Sequence, residues 1–259
     1  MQFHDDAFPE RHPFRTMRNG WQHGSVSTRL LVLEDDDGIR AALRLALLDE
    51  GYEVVAHARA ERALTELPGG IELMLVDLML GGMDGFTFIR EARHLTDAPI
   101  VVVSARTDTH DIVAALEAGA DDYVTKPFQI KEICARLRAL QRRGRSHPLA
   151  ANELGGTVLD EQNGRPLTLW PEAGLVRRGD ETVHLTVTEF RLLCELAQSP
   201  GRVLSRAVLL ERIWDQGFFG DERIVDAHIR RLRTKVEQDP GSPRIVVTVR
   251  GLGYRLGAV

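Results

Sequence analysis

A chain of 259 residues is longer than most single compact domains and suits two. Its 43% hydrophobic and 27% charged residues are ordinary for a globular protein. No apolar run approaches the roughly 20 residues of a bilayer span, which excludes a spanning helix and a membrane partner. Cys134 and Cys194 stand far apart, without C-x-x-C or nearby histidine spacing, which excludes a disulfide framework or a structural zinc site and points to reducing cytoplasm.

The net charge of −5 hides an asymmetry. Residues 29–140 carry 12 Lys/Arg against 20 Asp/Glu, whereas residues 167–259 carry 14 against 12. An acidic half joined to a slightly basic one predicts different partners for the two. Residues 1–28 mix charges, prolines and histidines without periodicity and read as a disordered extension.

From Leu30 to Arg142 apolar runs alternate with helical patterns. The runs are Leu30 to Leu33, Val54 to Ala56, Leu73 to Val76, Ile100 to Val103, and Tyr123-Val124. Helical patterns follow each of them, the last from Lys131 to Arg142. Five short, continuously apolar runs separated by helices predict a doubly wound, five-stranded parallel sheet with both faces covered, over residues 29–142. Residues 143–166, rich in Gly, Pro, Asn, Ser and Ala, read as a flexible linker. Residues 167–259 then carry strand patterns, three helical patterns (188–197, 205–214, 222–237) and a terminal hairpin turning through Arg250-Gly251-Leu252-Gly253. Ser205 and Thr188 are the candidate N-caps. That order describes an α+β winged helix-turn-helix domain.

Ligands of open α/β sheets bind beyond the carboxyl ends of the strands. Those ends carry Glu34, Asp35 and Asp36, then Asp77, Ser104 and Lys126. Crowded carboxylates repel unless a hard cation neutralises them, and oxygen-only donors suit Mg²⁺ or Mn²⁺. A carboxylate held there can attack a phosphoryl group, with Lys126 compensating charge and Ser104 donating a hydrogen bond. Singly each residue has a plainer reading: Asp35 to Asp37 as a cap and solvated first helical turn, Lys126 as a surface lysine. Four such residues at four appropriate strand ends are not easily accidental.

Leu31-Val32-Leu33-Glu34-Asp35-Asp36, Val76-Asp77-Leu78-Met79, Val103-Ser104-Ala105 and Gly119 to Phe128 resemble the motifs of two-component receiver domains, a flavodoxin-like fold. The resemblance implies that Asp77 is the phospho-acceptor. It further implies that Asp35 and Asp77 bind Mg²⁺ with the Met79 carbonyl, that Glu34 assists through water, that Ser104 and Tyr123 form a switch pair, and that the Lys126–Pro127 bond is cis. Ser104 would swing toward the phosphoryl group and leave room for the Tyr123 ring to turn inward. In the loop after the acceptor the family commonly has proline where this chain has Gly81, which predicts a more permissive loop.

In the second half, Asp221 to Arg233 and Thr248 to Tyr254 resemble the recognition helix and wing of OmpR/PhoB-type DNA-binding domains. Without the family, Val225, Ile229, Leu232 and Val236 make an apolar stripe at helical spacing. The opposite face carries Arg223, Ala227, Arg230, Arg231 and Thr234, an arginine-rich solvent face suited to a major groove. His228, Arg233 and Lys235 flank the stripe and suit backbone contacts or internal ion pairs. Arg250 at the hairpin tip can reach a minor groove, with Thr248 beside it. Tyr254 reads equally as wing packing or a phosphate contact.

Taken together, the resemblance implies a DNA-binding transcriptional regulator rather than an enzyme, phosphorylated by a sensor histidine kinase and binding double-stranded promoter DNA as a homodimer, with RNA polymerase as a candidate partner. Asp121, Asp122, Lys131, Glu132 and Arg136 are the candidate dimer-interface residues, although Glu132 and Arg136 are also i, i+4 neighbours able to pair within their helix. Two alternatives remain. One is a regulator that binds DNA without phosphorylation. The other is an Mg²⁺-dependent aspartyl phosphotransferase, which would want a second Asp where Met79 stands.

Overall fold

The structure is a computed structural model and describes residues 27–144, 155–161, 164–214 and 222–257. The first half alternates β1 (Arg29–Leu33), α1 (Asp37–Asp49), β2 (Glu53–His57), α2 (Ala60–Glu66), β3 (Leu73–Val76), α3 (Gly85–Leu95), β4 (Ile100–Ser104), α4 (Thr109–Ala118), β5 (Asp122–Thr125) and α5 (Ile130–Gly144). All five strands are parallel, in the order β2-β1-β3-β4-β5. The order reverses between β1 and β3, which puts a crevice at their carboxyl ends.

Alternate side chains of each strand feed opposite layers, which is why the runs are apolar throughout. Leu30, Val32, Leu73, Leu75, Val101 and Val103 pack under α1 and α5. Leu31, Leu33, Met74, Val76, Ile100 and Val102 face α2, α3 and α4. Helix starts are capped where short polar side chains allow: Asp36 accepts from the Ile39 amide, Asp84 from Thr87 and Asp108 from His110.

The second half holds an antiparallel sheet of β6 (Thr157–Asp160), β7 (Leu167–Trp170), β8 (Leu175–Arg178) and β9 (Glu181–Thr182). It continues with α6 (Val187–Ala197), α7 (Arg206–Trp214), α8 (Arg223–Val236) and the hairpin of β10 (Val246–Val249) and β11 (Gly253–Leu256). The hairpin is tied to the start of α7 by the Leu204–Tyr254 backbone bridge. A Cβ at Gly253 would lie 2.8 Å from the Ser205 Cα, so that close approach requires glycine.

Three expectations are corrected. β6 lies inside the stretch read as linker, so the second domain's sheet begins at Thr157; its pairing with β7 supplies the hydrogen bonds that a Gly-rich composition concealed. Helix α6 is capped by Thr186 rather than Thr188, through a capping box in which Glu189 reaches back to the Thr186 amide. At the other end, Ser27 and Thr28 are not part of a loose extension: the Ser27 hydroxyl donates to the Gly51 carbonyl and Thr28 is buried. The remainder of the N-terminal extension, residues 1–26, lies outside the described residues, as does 145–154 of the linker. Ser205 caps α7 as expected, accepting from the Val208 amide.

Candidate phosphoryl-acceptor site and DNA-reading helix

Three carboxylates converge on the crevice from two strand ends. Glu34 and Asp35 follow β1 and Asp77 follows β3, with one oxygen of each within 4.8 Å of the others. Lys126, after β5, places its ammonium 2.7 Å from Asp77 Oδ2 and 2.8 Å from Glu34 Oε2. The other Asp77 oxygen accepts from the Met79 amide at 2.9 Å. Ser104, at the end of β4, is fully buried, and the Lys126–Pro127 bond is cis. Gly85 lets the loop after Asp77 close over it, since a Cβ there would meet the Leu78 Cα at 2.5 Å.

The charges gathered in the crevice suit a cation. Burial pushes the Glu34 carboxyl up; the bond from Lys126 opposes this and the nearby Asp77 charge adds to it. Burial alone would lower the Lys126 ammonium, but its bonds to Asp77 and Glu34 hold it above its ordinary value. Three carboxylates against one ammonium leave negative charge uncompensated, and an all-oxygen donor set fits a hard divalent cation. Of the expected metal set the structure brings Glu34, Asp35 and Asp77 together, while the Met79 side chain is exposed.

Of the expected switch pair, Tyr123 is buried like Ser104, with its hydroxyl donating to the Arg106 carbonyl at 2.8 Å. Arg106 was not legible as a site residue. Its Nε lies 3.2 Å from Met79 Sδ and its guanidinium pairs with Asp111 of α4, so it links the pocket rim to that helix.

Helix α8 is the larger surprise. The helix lies along α4 of the first domain, which partly covers Arg231 while Arg223 and Arg230 stay exposed. Arg230 pairs with Glu117, and Arg231 donates to the carbonyls of Leu116 and Ala120 at 3.2 Å each while pairing with the buried Glu189 of α6. Arg223 reaches Thr109, and the Trp214 indole donates to the Asp121 carbonyl at 3.2 Å. Ala227 and His228, expected among the DNA-contacting residues, are buried. The physical reason is the short period of the helix: residues adjoining the apolar stripe are covered once α8 packs on two surfaces instead of one.

Other DNA-contact candidates serve the wing's architecture. Arg233 donates to the Val246 carbonyl at 2.7 Å and to the Thr248 hydroxyl at 2.7 Å. The Tyr254 hydroxyl donates to Asp226 at 2.6 Å, and burial together with that carboxylate pushes the phenol up to about 12. Tyr254 is therefore wing packing in this form. Arg223, Thr248 and Arg250 are exposed.

The candidate dimer face is also largely committed within the chain. Asp121 is fully buried and paired with Arg93 at 2.6 Å; burial would raise its carboxyl, but Arg93 and Arg231 hold it below its ordinary range. Asp122 pairs with Arg136 at 3.0 Å, and Arg136 with Glu132 at 2.7 Å, which is the intrahelical pair its spacing allowed. Lys131 and Glu132 alone of that set remain exposed.

A parallel sheet with an acidic crevice, followed by a helical domain with a β-wing, defines a receiver coupled to a DNA-binding output domain. Residues 30–138 match the response regulator receiver domain and residues 180–256 the C-terminal domain of transcriptional regulatory proteins. The chain belongs to the OmpR/PhoB family of two-component response regulators. It is 43% identical to the transcriptional regulatory protein AfsQ1 of Streptomyces coelicolor, over 88% of this chain and 97% of that one. It is 40% identical to the DNA-binding response regulator MtrA of Mycobacterium tuberculosis, over 90% and 98%. Among solved structures it is similar to a point mutant of RitR, with TM-score 0.67 and 28% identity, covering 89% of this chain and 99% of that one. Its relatives are DNA-binding transcriptional regulators, and no helix among the described residues is long and apolar enough to cross a membrane.

Proposed function

We propose that this chain is a phosphorylation-switched, cytoplasmic transcriptional regulator in which a sensor histidine kinase transfers a phosphoryl group to Asp77. The supporting observation is the Lys126 ammonium bridging Asp77 and Glu34 beside Asp35. Asp35 and Asp77, with the Met79 carbonyl and Glu34 through water, would hold Mg²⁺, which supplies charge neutralisation for the incoming phosphoryl group. The Asp77 carboxylate attacks phosphorus, and the phosphohistidine nitrogen leaves. Lys126 orients Asp77 through its bond to Oδ2, and the Ser104 hydroxyl would donate to a phosphoryl oxygen.

Phosphorylation adds about two negative charges and three acceptor oxygens at this rim. Arg106 touches Met79 at the pocket rim and pairs with Asp111, so its guanidinium could exchange one anion for another and loosen α4. Because α8 is docked on α4, domain separation must precede both DNA reading and receiver dimerisation through the α4-β5-α5 face. A dimer then sets two helices on neighbouring half-sites about one helical turn apart, where RNA polymerase becomes a further partner.

Protein treated with acetyl phosphate and Mg²⁺ should gain the mass of one phosphoryl group, with Asp77→Asn gaining none. No gain, or an equal gain in the variant, refutes the assignment. In vitro site selection with and without the phosphodonor then identifies the operator.

A further inference from the structure

His228 is completely buried, yet it lies on the helix that must come away from the first domain before DNA can be read. Its ring sits 5.2 Å from that of Trp214, whose indole nitrogen donates across the seam to the Asp121 carbonyl. Neither ring nitrogen makes a well-formed hydrogen bond. A buried imidazole with both nitrogens unsatisfied is unfavourable, and a protonated one there is more so.

Charged groups reach it from three elements: Arg231 of its own helix, Arg93 of α3, and Asp121 just before β5. Asp121 is already neutralised by Arg93, so it offers little to a second cation, and its carbonyl is the weakest of the influences on the ring. Glu189 of α6 is likewise engaged, by Arg231 and Lys235. The two arginines repel an imidazolium.

We propose that the seam between the receiver and α8 is a proton-sensitive latch, in which closure requires neutral His228 and opening exposes the imidazole so that it can take up a proton. The inference goes beyond the phosphorylation reading and does not depend on Asp77 chemistry.

Burial first, then Arg231, pushes the closed-form imidazole down to about 3. Once exposed it returns toward the ordinary value of about 6.5. The open form therefore binds more protons below about pH 6.5, and acid favours opening. Between about pH 7.5 and about pH 5.5 the open-to-closed ratio rises roughly tenfold, nearly all of it below about pH 6.5. One contact works the other way: His184 and Asp97 approach at 3.6 Å across the domains and attract when His184 is protonated. Both side chains are well exposed, so screening keeps that opposition small.

The test uses the full unphosphorylated chain, a duplex carrying its selected operator, and the seam-opening variant Glu117→Arg as the reference. At about pH 7.5 wild type binds more weakly than Glu117→Arg, because only its open fraction is competent. At about pH 5.5 that gap narrows, by roughly tenfold when the closed form dominates. In His228→Gln, compared with the same variant carrying Glu117→Arg, the gap is unchanged between the two pH values. Equal affinities of wild type and Glu117→Arg at both pH values, a wild-type gap independent of pH, or a gap in His228→Gln that still narrows overturns the proposal. NMR on wild type provides a reading independent of variant folding. The His228 ring should stay neutral through about pH 5, and titration near its ordinary value of about 6.5 would overturn the latch.

Discussion

Gly85 offers the most direct test of how the loop after Asp77 positions that carboxylate. A Cβ at this residue would stand 2.5 Å from the Leu78 Cα and 3.1 Å from the Asp77 carbonyl carbon, and closer still to the Asp77 carbonyl oxygen. All three are backbone atoms, so no side chain can swing aside. Relief requires the first turn of α3 to move away from the end of β3, which strains the Asp84 cap on the Thr87 amide. Overpacking of this kind costs typically about 1–3 kcal/mol, and rigid backbone neighbours put it at about 2 kcal/mol or more. For a domain of this size that lowers the melting temperature by roughly 10 °C. Gly81→Ala is the internal control: it lies in the same loop, and its Cβ meets nothing within 4 Å. Calorimetry of Gly85→Ala, Gly81→Ala and wild type should show a large loss in the first and almost none in the second. Phosphorylation of Gly85→Ala by acetyl phosphate should also slow, because the displaced carbonyl belongs to Asp77, the proposed acceptor. A Gly85→Ala melting point within experimental error of wild type would refute the packing argument.

Other outcomes follow from the same geometry. Glu34→Gln should melt above wild type near pH 7 in a chelator, because burial and Asp77 raise the Glu34 carboxyl above 4.5 and its charged form weakens the fold. That gap should close as pH falls, since the folded wild type then takes up a proton more readily than the unfolded chain; a gap that widens toward acid contradicts the sign. Mg²⁺ at roughly ten times its dissociation constant should stabilise wild type by about 1.4 kcal/mol, with Asp35→Asn losing most of this in thermal melts. Arg250→Ala should reduce the log-log salt slope of DNA binding by roughly 0.9, and an unchanged slope removes its phosphate contact. Arg230→Ala should lower the slope similarly while also freeing α8 from Glu117, so its affinity at one salt concentration falls less than that of Arg250→Ala. Gly81→Pro should change the dephosphorylation rate by stiffening the loop; equal rates would show that its permissiveness is irrelevant.

The two-domain organisation, the parallel sheet and the acidic crevice were legible from residue order alone. Apolar runs such as Leu73 to Val76 report burial on both faces directly, and Glu34, Asp35, Asp77, Ser104 and Lys126 follow strands whose ends must converge. β6 escaped notice because four residues in a Gly-rich stretch carry too little pattern, and their partner β7 alone makes them a strand. The roles of Arg93, Glu117, Glu189 and Trp214 escaped for a related reason: each is ordinary in its own helix and acquires meaning from a partner elsewhere in the chain.

Local pattern therefore pointed to the side chains proposed for phosphoryl chemistry and for DNA reading, since periodicity and residue type are properties of short segments. Tertiary packing alone decided what those side chains touch. Arg230 meets Glu117, and Trp214 meets Asp121, only because two separately patterned units bury a common surface. The same burial turns His228 from a flank of the reading helix into an uncharged group at the centre of the seam. An amphipathic helix records that it has a polar face; whether water, DNA or a neighbouring domain covers it depends on free energies summed over residues far apart in the chain.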